Sequence, residues 1–151
     1  MRKKLLTVGA LLAALAVSAQ TSTLQVIHNS ADPLANQVDI YVNGQLFSDD
    51  FEFRKASEVT TVPSNTLLNI GIAPGNSISV ADTLKNFPFT LEDGKHYVLL
   101  ANGEVLGINE RALNIFAYDQ GRVDALAGGT DLLVFHGSVD APGVDITLEN
   151  G

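Results

Sequence analysis

Residues 38–44 read Val-Asp-Ile-Tyr-Val-Asn-Gly. Val38, Ile40 and Val42 alternate with Asp39, Tyr41 and Asn43, the period of two that puts branched aliphatics on one face of a β-strand. Asn43-Gly44 follows, a hairpin signal because both residues tolerate positive φ. The stretch belongs to a longer motif that occurs twice. Residues 26–44 are VIHNSADPLANQVDIYVNG and residues 134–151 are VFHGSVDAPGVDITLENG. His28, Ser30, Asp32, Val38-Asp39-Ile40 and Asn43-Gly44 recur as His136, Ser138, Asp140, Val144-Asp145-Ile146 and Asn150-Gly151. Self-similarity of this kind points to a tandem array of one domain type. The second copy would stop at its first turn, so residues 131–151 are expected to be the truncated start of a copy in a fragment of a longer protein. They are expected to form an isolated hairpin, or to dock on an edge of the first domain.

Outward from the motif, the chain reads as short strands and turns. Leu24, Val26 and His28 share one face of the preceding strand, and Gln25, Ile27 and Asn29 the other. Further strands are expected at Glu58–Val62, Thr66–Ala73, Ser77–Ala81, Phe87–Leu91, His96–Ala101 and Leu113–Tyr118, with a short helical turn admissible within 105–115. Turn signals separate them: Pro63-Ser64-Asn65, Pro74-Gly75-Asn76, Asp93-Gly94 and Asn102-Gly103. This spacing predicts an all-β, immunoglobulin-like antiparallel β-sandwich of about seven strands over 22–120. Residues 121–130, with Gly128-Gly129 and no alternation, read as a linker. Phe47, Phe51, Phe53, Phe87 and Phe89 are expected in or against the core.

The N-terminus sets an expected compartment. Arg2, Lys3 and Lys4 precede an apolar run from Leu5 to Val17, and Val17-Ser18-Ala19 offers a small-residue cleavage site. That order is a secretory signal peptide over 1–19, and the run is short of the ~20 residues of a membrane span. The protein is therefore expected to be secreted or at the cell surface. The chain has no cysteine, so burial and hydrogen bonds must hold it together. Its formal charge is −8, more negative by three once Arg2, Lys3 and Lys4 are cleaved away. An acidic surface with no long basic run excludes nucleic acid as a partner.

The His-x-Ser-x-Asp pattern with a nearby Pro, followed by Val-Asp-Ile-Tyr-Val-Asn-Gly, resembles the domain-of-unknown-function 4397 family of bacterial secreted and cell-surface domains. Phe51-Glu52-Phe53 through Glu58, Val62-Pro63, Leu67–Ala73 and Thr90–Tyr97 are similar to the family's later elements. The resemblance covers about 24–120 with a restart at 132–151. It implies tandem neighbours of the same type, and it implies no activity.

His28, Ser30 and Asp32 invite a catalytic reading, but residues i and i+2 on one strand lie about 6–7 Å apart, and no Gly-x-Ser-x-Gly elbow is present. Zinc would need three or four ligands, and only His28, His96 and His136 exist. Asp32 and Asp39 offer oxygens to calcium, but no calcium loop surrounds them, and Asp49-Asp50 reads as an isolated pair. No metal or cofactor is expected. The motif reads instead as scaffold: Asp32 before Pro33 as an Asx-turn acceptor, Ser30 likewise, and His28 donating to a loop carbonyl. Tyr41, opposite the aliphatic face, is expected to be exposed and is the aromatic to test for a ligand. The residues singled out are His28, Ser30, Asp32, Asp39 and Tyr41, with His136, Ser138, Asp140 and Asp145 in the second copy. The function expected is a non-catalytic spacer, adhesion or recognition module with an extracellular ligand or surface partner. A glycan- or cation-binding module is the alternative, and a hydrolase comes third.

Overall fold

A computed structural model of the chain describes residues 19–147. The signal-peptide segment lies outside them but for Ala19, and so does the second Asn-Gly turn. Eight strands form two four-stranded sheets: β1 (Thr21–His28), β2 (Gln37–Val42), β3 (Gln45–Glu52), β4 (Thr60–Pro63), β5 (Leu67–Pro74), β6 (Lys85–Thr90), β7 (His96–Asn102) and β8 (Asn114–Gly121). The order is β4-β1-β7-β8 in one sheet and β3-β2-β5-β6 in the other. The all-β sandwich is the architecture expected, with eight strands for the seven or so foreseen. The strand not foreseen is β3, the return arm of the Asn43-Gly44 hairpin, whose two residues sit at φ 49° and 81°; the strand foreseen at Ser77–Ala81 is absent. All pairings are antiparallel except β1 with β7.

The core lies between the sheets. Leu24, Val26, Tyr97, Leu99, Ala101 and Ile115 face Val38, Ile40, Leu68, Ile70, Ile72 and Phe87. Phe51 is buried with them, and Phe47 and Phe89 pack against the cluster. Removing this apolar surface from water is the main stabilising term.

One expected strand is replaced by a turn. Ser77–Ala81 is no strand: Ser79 caps a 3₁₀ turn over Val80–Asp82, and Asp82 returns the contact to the Ser79 backbone. That reciprocal capping box outweighs the weak alternation of the stretch. A second 3₁₀ turn, at Asn109–Arg111, falls where a helical turn was admissible.

Beyond Gly121 the described residues contain no further strand, so the described part of the expected hairpin, up to residue 147, pairs no strands. The chain turns back over the outer face of the β4-β1-β7-β8 sheet. Arg122 pairs with Asp131 through two hydrogen bonds. The Phe135 ring lies 5.3 Å from that of Phe116 on β8. The Asn102 side-chain amide donates to the Gly137 carbonyl at 2.9 Å. The segment therefore rests on a sheet face, not on an edge. Val98 and Leu100, on that outer face, are 8% and 7% exposed.

Candidate functional site

The first motif occupies the end of β1 and the loop that follows. His28, the last β1 residue, points into the sandwich and is 2% exposed. Its ring lies between Phe51, stacked at 6.2 Å, and Phe53, edge-on at 6.2 Å. Nε2 lies 2.6 Å from the Ala35 carbonyl oxygen. A carbonyl can only accept, so Nε2 carries the proton and Nδ1 is left to face the Ser30 N–H at 3.4 Å. Burial pushes the His28 pKa below the ordinary imidazole range, opposed in part by the Ala35 bond. A neutral imidazole with both nitrogens engaged is a poor base and a poor metal ligand.

Ser30 is fully buried, and its hydroxyl donates to the Gly103 carbonyl at 2.5 Å. It does not bond to the imidazole, so no nucleophile–base pair forms. Asp32 divides its carboxylate. One oxygen accepts from Leu34 N–H at 2.9 Å, capping the 3₁₀ turn Pro33–Ala35, and the other accepts from Val105 N–H at 2.7 Å. Ser30 and Asp32 thus clamp the β1–β2 loop to the β7–β8 connection. Gly103 makes the approach possible: its φ is +106°, and a β-carbon there would stand 2.5 Å from the Ala112 carbonyl oxygen.

The second motif repeats only part of this. His136 Nε2 lies 3.1 Å from the Pro142 carbonyl, the counterpart of the His28–Ala35 bond. Ser138 donates to Asp140 at 2.7 Å, where in the first motif Ser30 and Asp32 reach across to another loop. That bond leads the causes holding the Asp140 carboxyl below the usual range. Asp145 is exposed, as are His136, Ser138 and Asp140. Between the two motifs and residues 103–106 runs an open groove of about 450 Å³, bordered by Asp32, Leu34, Glu104, Leu106 and Asp140.

Asp39 and Tyr41 lie elsewhere, on β2, and neither is exposed. The expectation for Tyr41 is overturned: it is 6% exposed, and its hydroxyl meets Ser77 Oγ at 2.9 Å. The cause is the 75–79 loop, which folds over that face once Ser77–Ala81 is not a strand. Ser77 in turn donates to Asp39 at 2.5 Å, and Asp50 N–H donates to the other Asp39 oxygen at 2.9 Å. Asp49 and Asp50 are not isolated. The β2–β3 ladder slips twice between Val38 and Tyr41, and the bulge, with Asp50 at φ 51°, brings Asp39, Asp49 and Asp50 within 4.8 Å of one another. Partial desolvation and the two neighbouring carboxylates raise the Asp49 pKa. Both Asp39 oxygens are engaged, so two exposed carboxylates remain, short of the six to eight oxygens calcium takes. Among the described residues no other group of three ligating side chains forms, and the three histidines do not gather: His96 pairs with Thr23 at the opposite end of β1 from His28.

Sequence reasoning missed the clamp's partners, the Gly103 carbonyl and the Val105 N–H. Asn102-Gly103 carried a signal, read only as a turn, while Val105 contributes nothing but a backbone N–H, which no residue type advertises.

Comparison with known proteins agrees with the motif. A family model described as "Domain of unknown function (DUF4397)" matches residues 22–147 in a single span that covers the first motif and most of the second. No curated protein matches the sequence. The chain belongs to the DUF4397 family.

Proposed function

We propose that this chain is a non-catalytic, exported β-sandwich module of a larger secreted or cell-surface protein, with a spacer, adhesion or recognition role, and that residues 131–151 open a second copy of the module. One observation carries the non-catalytic reading: the motif's polar atoms are consumed by the fold. Both His28 nitrogens, the Ser30 hydroxyl and both Asp32 oxygens meet partners in the chain, and none is left for a substrate. The signal-peptide pattern at 1–19 supports export. The test is a panel of esters and glycosides offered to the full chain, with melting measured in parallel. No turnover is expected, and Ser30→Ala is expected to lower the melting temperature. Turnover that Ser30→Ala abolishes at unchanged melting would overturn the proposal.

A second reading, cation binding, draws on the gathering of Asp39, Asp49 and Asp50. A calcium-induced rise in melting temperature that Asp49→Asn and Asp50→Asn both remove would favour it. No rise would exclude it. The buried Tyr41 offers no stacking face to a glycan.

A further inference from the structure

The second motif has two faces, and the first motif identifies them. Aligned on the histidines, Leu132, Val134 and His136 match Leu24, Val26 and His28, which point into the sandwich. Leu133, Phe135 and Gly137 match Gln25, Ile27 and Asn29, which point outward from β1. In the folded chain the second set is the one turned toward the domain. Phe135 meets Phe116, and Gly137 accepts from Asn102, while Leu132 and Val134 stand 72% and 61% exposed. The core-type face is bare.

The differences between the copies fall on the seated face. Gln25 gives way to Leu133, Ile27 to Phe135 and Asn29 to Gly137; the first two changes favour apolar contact, and the third lets the backbone approach Asn102. Gly137 lets the backbone come close: a β-carbon there would displace the Asn29 amide and stand 3.0 Å from Asn102 Oδ1, so both side-chain ends of the Asn29–Asn102 contact would have to shift. The Arg122–Asp131 pair fixes the other end of the segment.

We infer that residues 131–147 form a joint between two sandwiches of this family. The outer face of the β4-β1-β7-β8 sheet seats the opening strand of a following domain by that strand's own outer face. The bare face of Leu132, Val134 and His136 takes the core of that second sandwich, the occupant to which it is matched residue by residue. Consecutive domains are then held at one mutual orientation, not strung on a loose 122–130 tether. The inference rests on the reading that the second motif opens another copy.

Two measurements separate the two ideas. The chain has no cysteine, so Glu58→Cys and Val134→Cys provide unique spin-label sites in the full chain. A narrow distance distribution is expected. Gly137→Asn, which installs the residue that the first motif carries there, is expected to broaden it toward the spread of a flexible chain of that length, on the order of 20 Å. A distribution that is already broad, or that Gly137→Asn leaves narrow, overturns the seating and leaves the second-copy reading intact. The second measurement fuses residues 41–121 after Ile146, completing a second sandwich, with one cysteine in each domain. A second folded domain at a single distance from the first supports the joint. A folded second domain at scattered distances overturns the joint alone, and a fused segment that stays unfolded overturns the second-copy reading and the joint with it.

Discussion

The loop after His28 and the loop after His136 start from nearly the same residues and end in different states. Each histidine reaches a carbonyl six or seven residues downstream, at Pro142 in one and Ala35 in the other. That bond is local, and the local sequence suffices to form it. The serine and aspartate part ways. Ser30 and Asp32 bond to Gly103 and Val105, more than 70 residues on, whereas Ser138 bonds to Asp140, two residues on. The motif is therefore two devices in one: a histidine that shapes its own loop, and a serine–aspartate pair that ties the loop to a distant connection when one is present. Buried polar groups must be paired, and the exposed copy shows how this pair settles when no distant connection is within reach.

The largest test of that contrast is at the histidines. His28→Ala removes a ring held between Phe51 and Phe53 and leaves the Ala35 carbonyl without its donor. Cavity and lost bond together are expected to cost about 2–4 kcal/mol of unfolding free energy. His136→Ala, at an exposed site, is expected to stay within about 0.5 kcal/mol of the unaltered chain. Denaturant unfolding of both variants checks this. Equal losses would mean that the second copy is as integral to the domain as the first.

The clamp gives a smaller effect of the same form. Ser30→Ala leaves the buried Gly103 carbonyl unpaired, at a cost of about 1–3 kcal/mol. Ser138→Ala only frees an exposed aspartate and is expected to change stability by no more than about 0.5 kcal/mol. If Ser30→Ala proves neutral, the clamp is not what holds the two loops together.

The contrast also marks what was legible in the sequence. Alternation of the Val38–Val42 kind and turn signals such as Asn43-Gly44, recurring along 22–120, pointed to the sandwich, because period and turn chemistry are local. The His28 and Asp32 roles as loop donor and Asx acceptor were legible for the same reason. What escaped was non-local. Nothing in the residues 77–81 announces that Ser77 closes over Tyr41, since the capping box of Ser79 and Asp82 competes with a plausible alternation. The gathering of Asp39 with Asp49 and Asp50 depends on two register slips between β2 and β3, and no residue type in that stretch advertises a slip. The face on which the second motif rests could be read only once Phe116 and Asn102 had positions.

The smallest effect expected is in acid. His28 titrates below the 6.5 of a free imidazole because burial disfavours its charged form. Between its folded value and 6.5 the unfolded chain binds more protons than the folded one, so stability rises with pH across that window and is lost as pH falls through it. The Ala35 carbonyl, which favours the protonated ring, limits the size of the effect. His28→Gln keeps a donor for Ala35 and removes the titration. Its unfolding free energy is therefore expected to be lower than that of the unaltered chain at neutral pH but to fall less steeply below pH 6.5. The measurement is the slope of unfolding free energy against pH for the two proteins. Parallel slopes would show that folding does not hold the His28 pKa below its unfolded value, and that burial of the ring is not what sets its charge state.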